Sequence, residues 1–193
     1  MVKIILIRPG STDYDQQRRI QGTLDVPLNE QGSAEVASLI DALRPLKLEA
    51  VYAPGCQPAL ATAKAIAEAF DVKFKRLDRM RNVDHGLWQG MLIDEVRLKQ
   101  PKVYRQWQER PRYICPPEGE MLDHATDRAR VGLAKLLKRH KNGVIGLVVS
   151  EPLASLVRCL LNHDELGDLW KASSEHGPWE VLDVEAEALA HSS

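Results

Sequence analysis

The sequence predicts an α/β fold, a three-layer α/β/α sandwich around a mostly parallel sheet. Two observations carry that prediction. Val2–Ile7 (VKIILI) and Val144–Ser150 (VIGLVVS) are short, β-branched and almost uninterrupted in apolar residues, as strands buried on both faces are. Around them, helical patterns alternate with further short strands, the order of a parallel sheet covered by helices on both sides. At 193 residues the chain is long enough for one sizeable core, so 1–193 is expected to be a single domain.

After the first strand, Arg8 to Leu28 reads as a long polar loop punctuated by Gly10, Gly22 and Pro27. Asn29 is a candidate N-cap for a helix with Val36, Leu39, Ile40 and Leu43 on its apolar side. Leu48–Tyr52 is a second strand, Pro54–Gly55 a turn, and Ala59–Phe70 an alanine-dense helix. Val72–Leu77 (VKFKRL) alternates apolar and basic residues and predicts a strand with one exposed face. Asp78 to Gly90 is loop and Leu92–Leu98 helix. Four prolines between Pro101 and Pro117 surround a short helix carrying Trp107, so 91–118 reads as an excursion or lid over the sheet. Gly119–Lys141 is the longest helix, stopped by Asn142–Gly143. A helix opens at Pro152, with Ser150 as its expected N-cap, and Trp179–Val184 is a last strand at an edge.

A net charge of −1 with 27% charged residues gives no reason to expect nucleic acid or membrane as a partner. The apolar run Ile4–Ile7 is too short for a membrane span or a signal-peptide core. Cys56, Cys115 and Cys159 show no CxxC spacing, which points to packing roles in a reducing, cytoplasmic setting. Asp25, Asp84 and Glu120 have no metal-ligand spacing, and no cofactor is expected.

In open α/β sheets the site lies at the carboxyl ends of the strands. Arg8 ends the first strand and Glu151 follows the penultimate one, so both are expected in one crevice. The residues there are now recognisable. Leu6-Ile7-Arg8-Pro9-Gly10-Ser11-Thr12, then Arg19-Ile20-Gln21-Gly22, then Asp25-Val26-Pro27-Leu28 resembles the opening of the histidine phosphatase superfamily, the clan of cofactor-dependent phosphoglycerate mutases. The resemblance continues at Gly86-Leu87-Trp88-Gln89-Gly90, Gly119-Glu120 and Val148-Val149-Ser150. It implies a phosphoglycerate mutase-like fold.

It also implies phosphoryl transfer through a phosphohistidine, with a second histidine and two arginines around the phosphoryl group and a carboxyl as proton donor. Such chemistry is mostly positioning plus stabilisation of charge on oxygen. Carried over residue by residue, the nucleophilic histidine falls on Pro9 and the second histidine on Glu151. The second arginine falls near Pro58, the proton donor on Asn82, and an asparagine of the first loop on Asp15. Only Arg8 remains of the charged phosphate ligands, with Gln21 and Gly22 as polar wall. Pro9 and Pro152 also remove backbone donors from the loops that would hold an oxyanion.

Of the six histidines, His85 is the one with a route to the crevice, although packing beside Trp88 is the favoured reading. His176-Gly177 repeats the family's dipeptide but follows a polar segment, and it is discounted. His124, His140 and His163 fall on helices, and His191 in the tail. Ser11 and Thr12 read as turn structure, and Tyr104 and Trp107 either as core or as side chains that close over a ligand.

The expectation is a histidine phosphatase-like protein that has lost the catalytic histidines, an inactive pseudophosphatase with a binding or regulatory role. Its pocket would comprise Arg8, Asp15, Gln21, Gly22, Asn82, His85 and Glu151, with an Arg8–Glu151 ion pair on the floor. Its partner is an unknown small molecule or protein, and the resemblance makes a homodimer reasonable. The alternative is an active hydrolase with chemistry relocated to Arg8, His85 and Glu151, which requires His85 and Glu151 to meet at one cavity.

Overall fold

Alternate residues of the first strand, β1 (Val2–Ile7), enter two different cores, which is why helices cover both faces of the sheet. Val2, Ile4 and Leu6 belong to the larger core, while Ile5 and Ile7 belong to the smaller. All five are sealed from solvent, at about 1.5–3 kcal/mol for each large apolar side chain buried. In the computed structural model, which describes residues 1–185, the sheet has five strands in the order β3-β2-β4-β1-β5.

After β1 come α1 (Asp13–Gln16), α2 (Glu30–Leu43), β2 (Ala50–Ala53), α3 (Ala59–Ala69) and β3 (Lys73–Arg76). Then follow α4 (Ile93–Lys99), α5 (Pro101–Glu109), α6 (Leu122–Arg139), β4 (Val144–Val148), α7 (Leu153–Asn162), α8 (Ala172–Glu175) and β5 (Trp179–Val184). β1 to β4 run parallel, and β5 pairs antiparallel with β1 at the edge. The helices α2 and α3 cover the smaller core through Leu39, Leu43, Ala63 and Ile66. On the other face α6 and α7 bury Ala129, Leu133, Leu136, Leu156 and Val157, and the 91–118 excursion inserts Val96 and Trp107 among them. This is a three-layer α/β/α sandwich. Among the described residues no helix is long and apolar enough to cross a membrane.

Asn29 caps α2 as expected, its side chain accepting from Gly32 N at 2.8 Å. Four local expectations need correction. The stretch after Arg8 is not all loop, because Thr12 and Asp15 form a capping box that nucleates α1. The longest helix begins at Leu122 rather than Gly119, since Glu120 is tied to the 84–86 loop: its N–H donates to Asp84 O, and its carboxylate accepts from Asp84 N. Ser150 does not cap α7. Glu151 takes that part, its Oε2 accepting from Ser155 N at 3.0 Å and Ser155 Oγ at 2.7 Å. Cys115 is exposed rather than packed, whereas Cys159 is buried. His191 lies outside the described residues.

Candidate functional site

A cavity of about 470 Å³ opens at the carboxyl ends of the strands. Its wall contains Arg8, Asp15, Gln21, Gly22, Asn82, His85 and Glu151, together with Pro9 and Pro58. Arg8 leaves the end of β1 with its backbone N–H bonded to Pro178 O. Each of its three guanidinium nitrogens is then engaged. Nε donates to Glu151 Oε1 at 2.7 Å, one terminal nitrogen to Gly177 O at 3.0 Å, and the other to Glu180 Oε1 at 3.0 Å. The Arg8 and Glu151 side chains are only 9% and 8% exposed, so water weakens this pair little. The expected ion pair is present, and a second carboxylate, which sequence reasoning missed, joins it from β5.

Pro9 carries no nucleophile into this wall. Asn82 acts as a latch between segments. Its Nδ2 donates to Gly22 O at 3.2 Å and Glu151 O at 2.8 Å, while its Oδ1 accepts from Leu153 N at 3.3 Å. With all its polar atoms engaged and no titrating proton, it offers no acid chemistry. Arg128 secures the latch from behind, donating to the carbonyls of Arg79, Arg81 and Asn82 and pairing with Glu120 at 2.6 Å. The Asp15 carboxylate accepts from Thr12 N at 2.7 Å and Thr12 Oγ1 at 2.8 Å. Gln21 Nε2 reaches the carbonyls of Leu24 and Gln57, and Gly22 holds a left-handed φ of 55° that favours glycine.

His85 reaches the same cavity as Glu151. Its ring is 5% exposed and packs edge-on against Trp107, with centroids 5.3 Å apart, rather than against Trp88. Burial pushes its pKa down to about 4, against the opposing pull of Asp84 and Glu120. The imidazole is therefore neutral at ordinary pH, a poor general acid, and its Nδ1 has no hydrogen-bond partner among the described residues. Glu151, the other half of a relocated acid–base pair, is already engaged by Arg8 and Ser155.

Sequence reasoning passed over the wall residues Glu35 and Trp170; Arg19, read only as part of a motif, and the discounted His176 line it too. Glu35, on α2, accepts from Ser11 N and Oγ and from Gln31 Nε2. Burial alone would raise its pKa, but these hydrogen bonds outweigh it and hold the carboxyl below its ordinary value. His176-Gly177, discounted for want of a preceding buried strand, comes to the wall through the turn before β5, where Gly177 O meets Arg8. The one available signal was the dipeptide itself. No group of three or more metal-ligating side chains occurs among the described residues.

The family model of the histidine phosphatase superfamily (branch 1) matches residues 4–191. Phosphoserine phosphatase 1 of Hydrogenobacter thermophilus is 31% identical over 185 residues, covering 96% of this chain and 88% of that protein. A bifunctional protein of Mycobacterium tuberculosis is 30% identical over 83% of this chain, which spans 44% of its length. Among solved structures, a mycobacterial glucosyl-3-phosphoglycerate phosphatase in complex with VO3 superposes with a TM-score of 0.83 at 22% identity, covering 95% of this chain and 91% of that one. By sequence and by fold, the chain belongs to the histidine phosphatase superfamily.

Proposed function

We propose that this protein is an inactive member of its superfamily, retained as a binding or regulatory module for a small molecule or protein in the cytoplasm. The observation that carries the reading is the commitment of Arg8: all three of its guanidinium nitrogens are held by Glu151, Glu180 and Gly177 O. A phosphoryl group entering here would meet no free arginine fork at the floor and would face the Glu151 carboxylate. At about 4 Å each like-charge contact opposes binding by on the order of 4 kcal/mol at an effective dielectric of about 20. Pro9 supplies no nucleophile, and Asn82 no proton.

A second reading is favoured by one observation, that His85 and Glu151 line a common cavity. It makes the protein a hydrolase of a neutral or monoanionic substrate with Glu151 as base. The neutral, buried His85 ring and the Arg8-bound Glu151 weigh against it. Phosphoserine phosphatase activity, the name carried by one relative, would need the groups this chain has replaced.

The test is hydrolysis of p-nitrophenyl phosphate and phosphoserine by the purified chain, run beside Pro9→His/Glu151→His. No turnover by the native chain is the expected result. Turnover that Arg8→Ala abolishes would end the inactive reading, and turnover abolished by His85→Ala would establish the second one.

A further inference from the structure

Resting on the reading of this site as a pocket without phosphoryl transfer, we propose that the cavity takes a protonated amine carried on an apolar or planar body. Charge is the first argument. The wall holds two arginines, Arg8 and Arg19, against three carboxylates, Asp15, Glu35 and Glu151. Arg8 is neutralised twice over, by Glu151 and by Glu180. Arg19 donates to Gln17 and the Gly90 carbonyl, neutral partners that leave its charge in place. Asp15 and Glu35 are left at the mouth as carboxylates whose contacts are all with neutral groups: Thr12, Ser11 and Gln31. With Glu180 behind Arg8, four carboxylates stand against two arginines, a balance that favours a cation over a phosphate dianion.

The second argument is independent of charge. His85, in the wall and only 5% exposed, makes no side-chain hydrogen bond among the described residues; its Nδ1 is sealed off, so the ring meets the cavity through Nε2. With the proton of the neutral ring on Nδ1, Nε2 is a bare acceptor. An ammonium N–H can donate to it, whereas a phosphate dianion has no proton to give. The third argument is shape. Trp107 and Trp170 complete the side of the cavity that carries His85, and Trp170 is braced by stacking on Tyr104 at 4.9 Å. The site thus has an acidic mouth and an aromatic wall, and at about 470 Å³ it lies within the range of small-molecule pockets. Aromatic rings suit an apolar body and add attraction for a cation.

The experiment is calorimetric titration of the full chain with tryptamine and phenethylamine, beside neutral N-acetyltryptamine and inorganic phosphate. At least one amine is expected to bind with Kd below about 1 mM, and N-acetyltryptamine and phosphate more weakly. Glu35→Gln and Asp15→Asn keep the acceptors for Ser11 and Thr12 while removing charge. Each is expected to weaken the amine by about threefold to tenfold, with circular dichroism confirming the fold. Failure of both amines to bind, equal binding of the neutral analogue, tighter binding of phosphate, or affinity unmoved by both substitutions would each overturn the proposal. Phosphomonoester turnover by the native chain would sink the inactive reading instead. Absence of both turnover and amine binding would sink this proposal alone.

Discussion

Glu151→Ala tests whether the floor of the cavity is held by charge. The substitution removes the 2.7 Å contact to Arg8 Nε and the two hydrogen bonds to Ser155 at the start of α7. Removing one partner of a buried ion pair costs about 3–5 kcal/mol when the other charge is left alone. Here Glu180, with a side chain 28% exposed, and Gly177 O still hold Arg8, so the charge term falls to about 2 kcal/mol. The lost helix cap adds about 1 kcal/mol. The expected total of about 3 kcal/mol should lower Tm by about 6–12 °C for a chain of this size. Thermal and urea denaturation at neutral pH would read it. A cycle with Arg8→Met separates the pair from the cap, and a coupling of about 2 kcal/mol between positions 8 and 151 is expected. If Glu151→Ala lies within about 0.5 kcal/mol of the native chain, or if the two substitutions simply add, the pair contributes nothing and the account of the floor is wrong.

Two further outcomes follow from the same geometry. His85 has its pKa depressed to about 4 from an ordinary value of 6.5, so the unfolded chain takes up the proton first as pH falls. The stability contributed by the neutral ring is present above pH 6.5 and lost progressively as pH drops toward 4, by about 3 kcal/mol in all; urea melts of His85→Gln should lack that part of the slope, and an unchanged slope refutes the assignment. Asn82→Asp would place a carboxylate against Gly22 O and Glu151 O, where Nδ2 now donates. It should cost about 3 kcal/mol or more, and a variant as stable as the native chain would remove Asn82 as the latch.

The parts of this molecule legible in its sequence are those set by local pattern. The nearly continuous apolar runs of β1 and β4 announced two-sided burial, and both strands are interior to the sheet. Asn29 announced its helix. What stayed hidden was decided by partners far away in the chain. Nothing near Glu180 or Gly177 marks them as ligands of Arg8, 172 and 169 residues earlier. Ser150 has the right chemistry for a cap, but the carboxylate beside it reaches Ser155 first. α1 escaped notice because its signal is one short capping box inside a polar stretch. His85 was placed against a neighbour in sequence, Trp88, when the ring that meets it edge-on is Trp107, delivered by the excursion.

The pairing of β1 with β4 and β5 carries a consequence for birth on the ribosome. The strand made first lies between the two made last, in register from Val2 opposite Val184 to Ile7 opposite Val148. A chain emerging N-terminus first must therefore hold this apolar strand unpaired until β4, at Val144–Val148, has followed. Arg8 waits for Glu151 and Glu180 beyond that point. The cavity is thus among the last features to be completed, and the nascent chain has reason to need shelter for VKIILI during the seconds that synthesis takes.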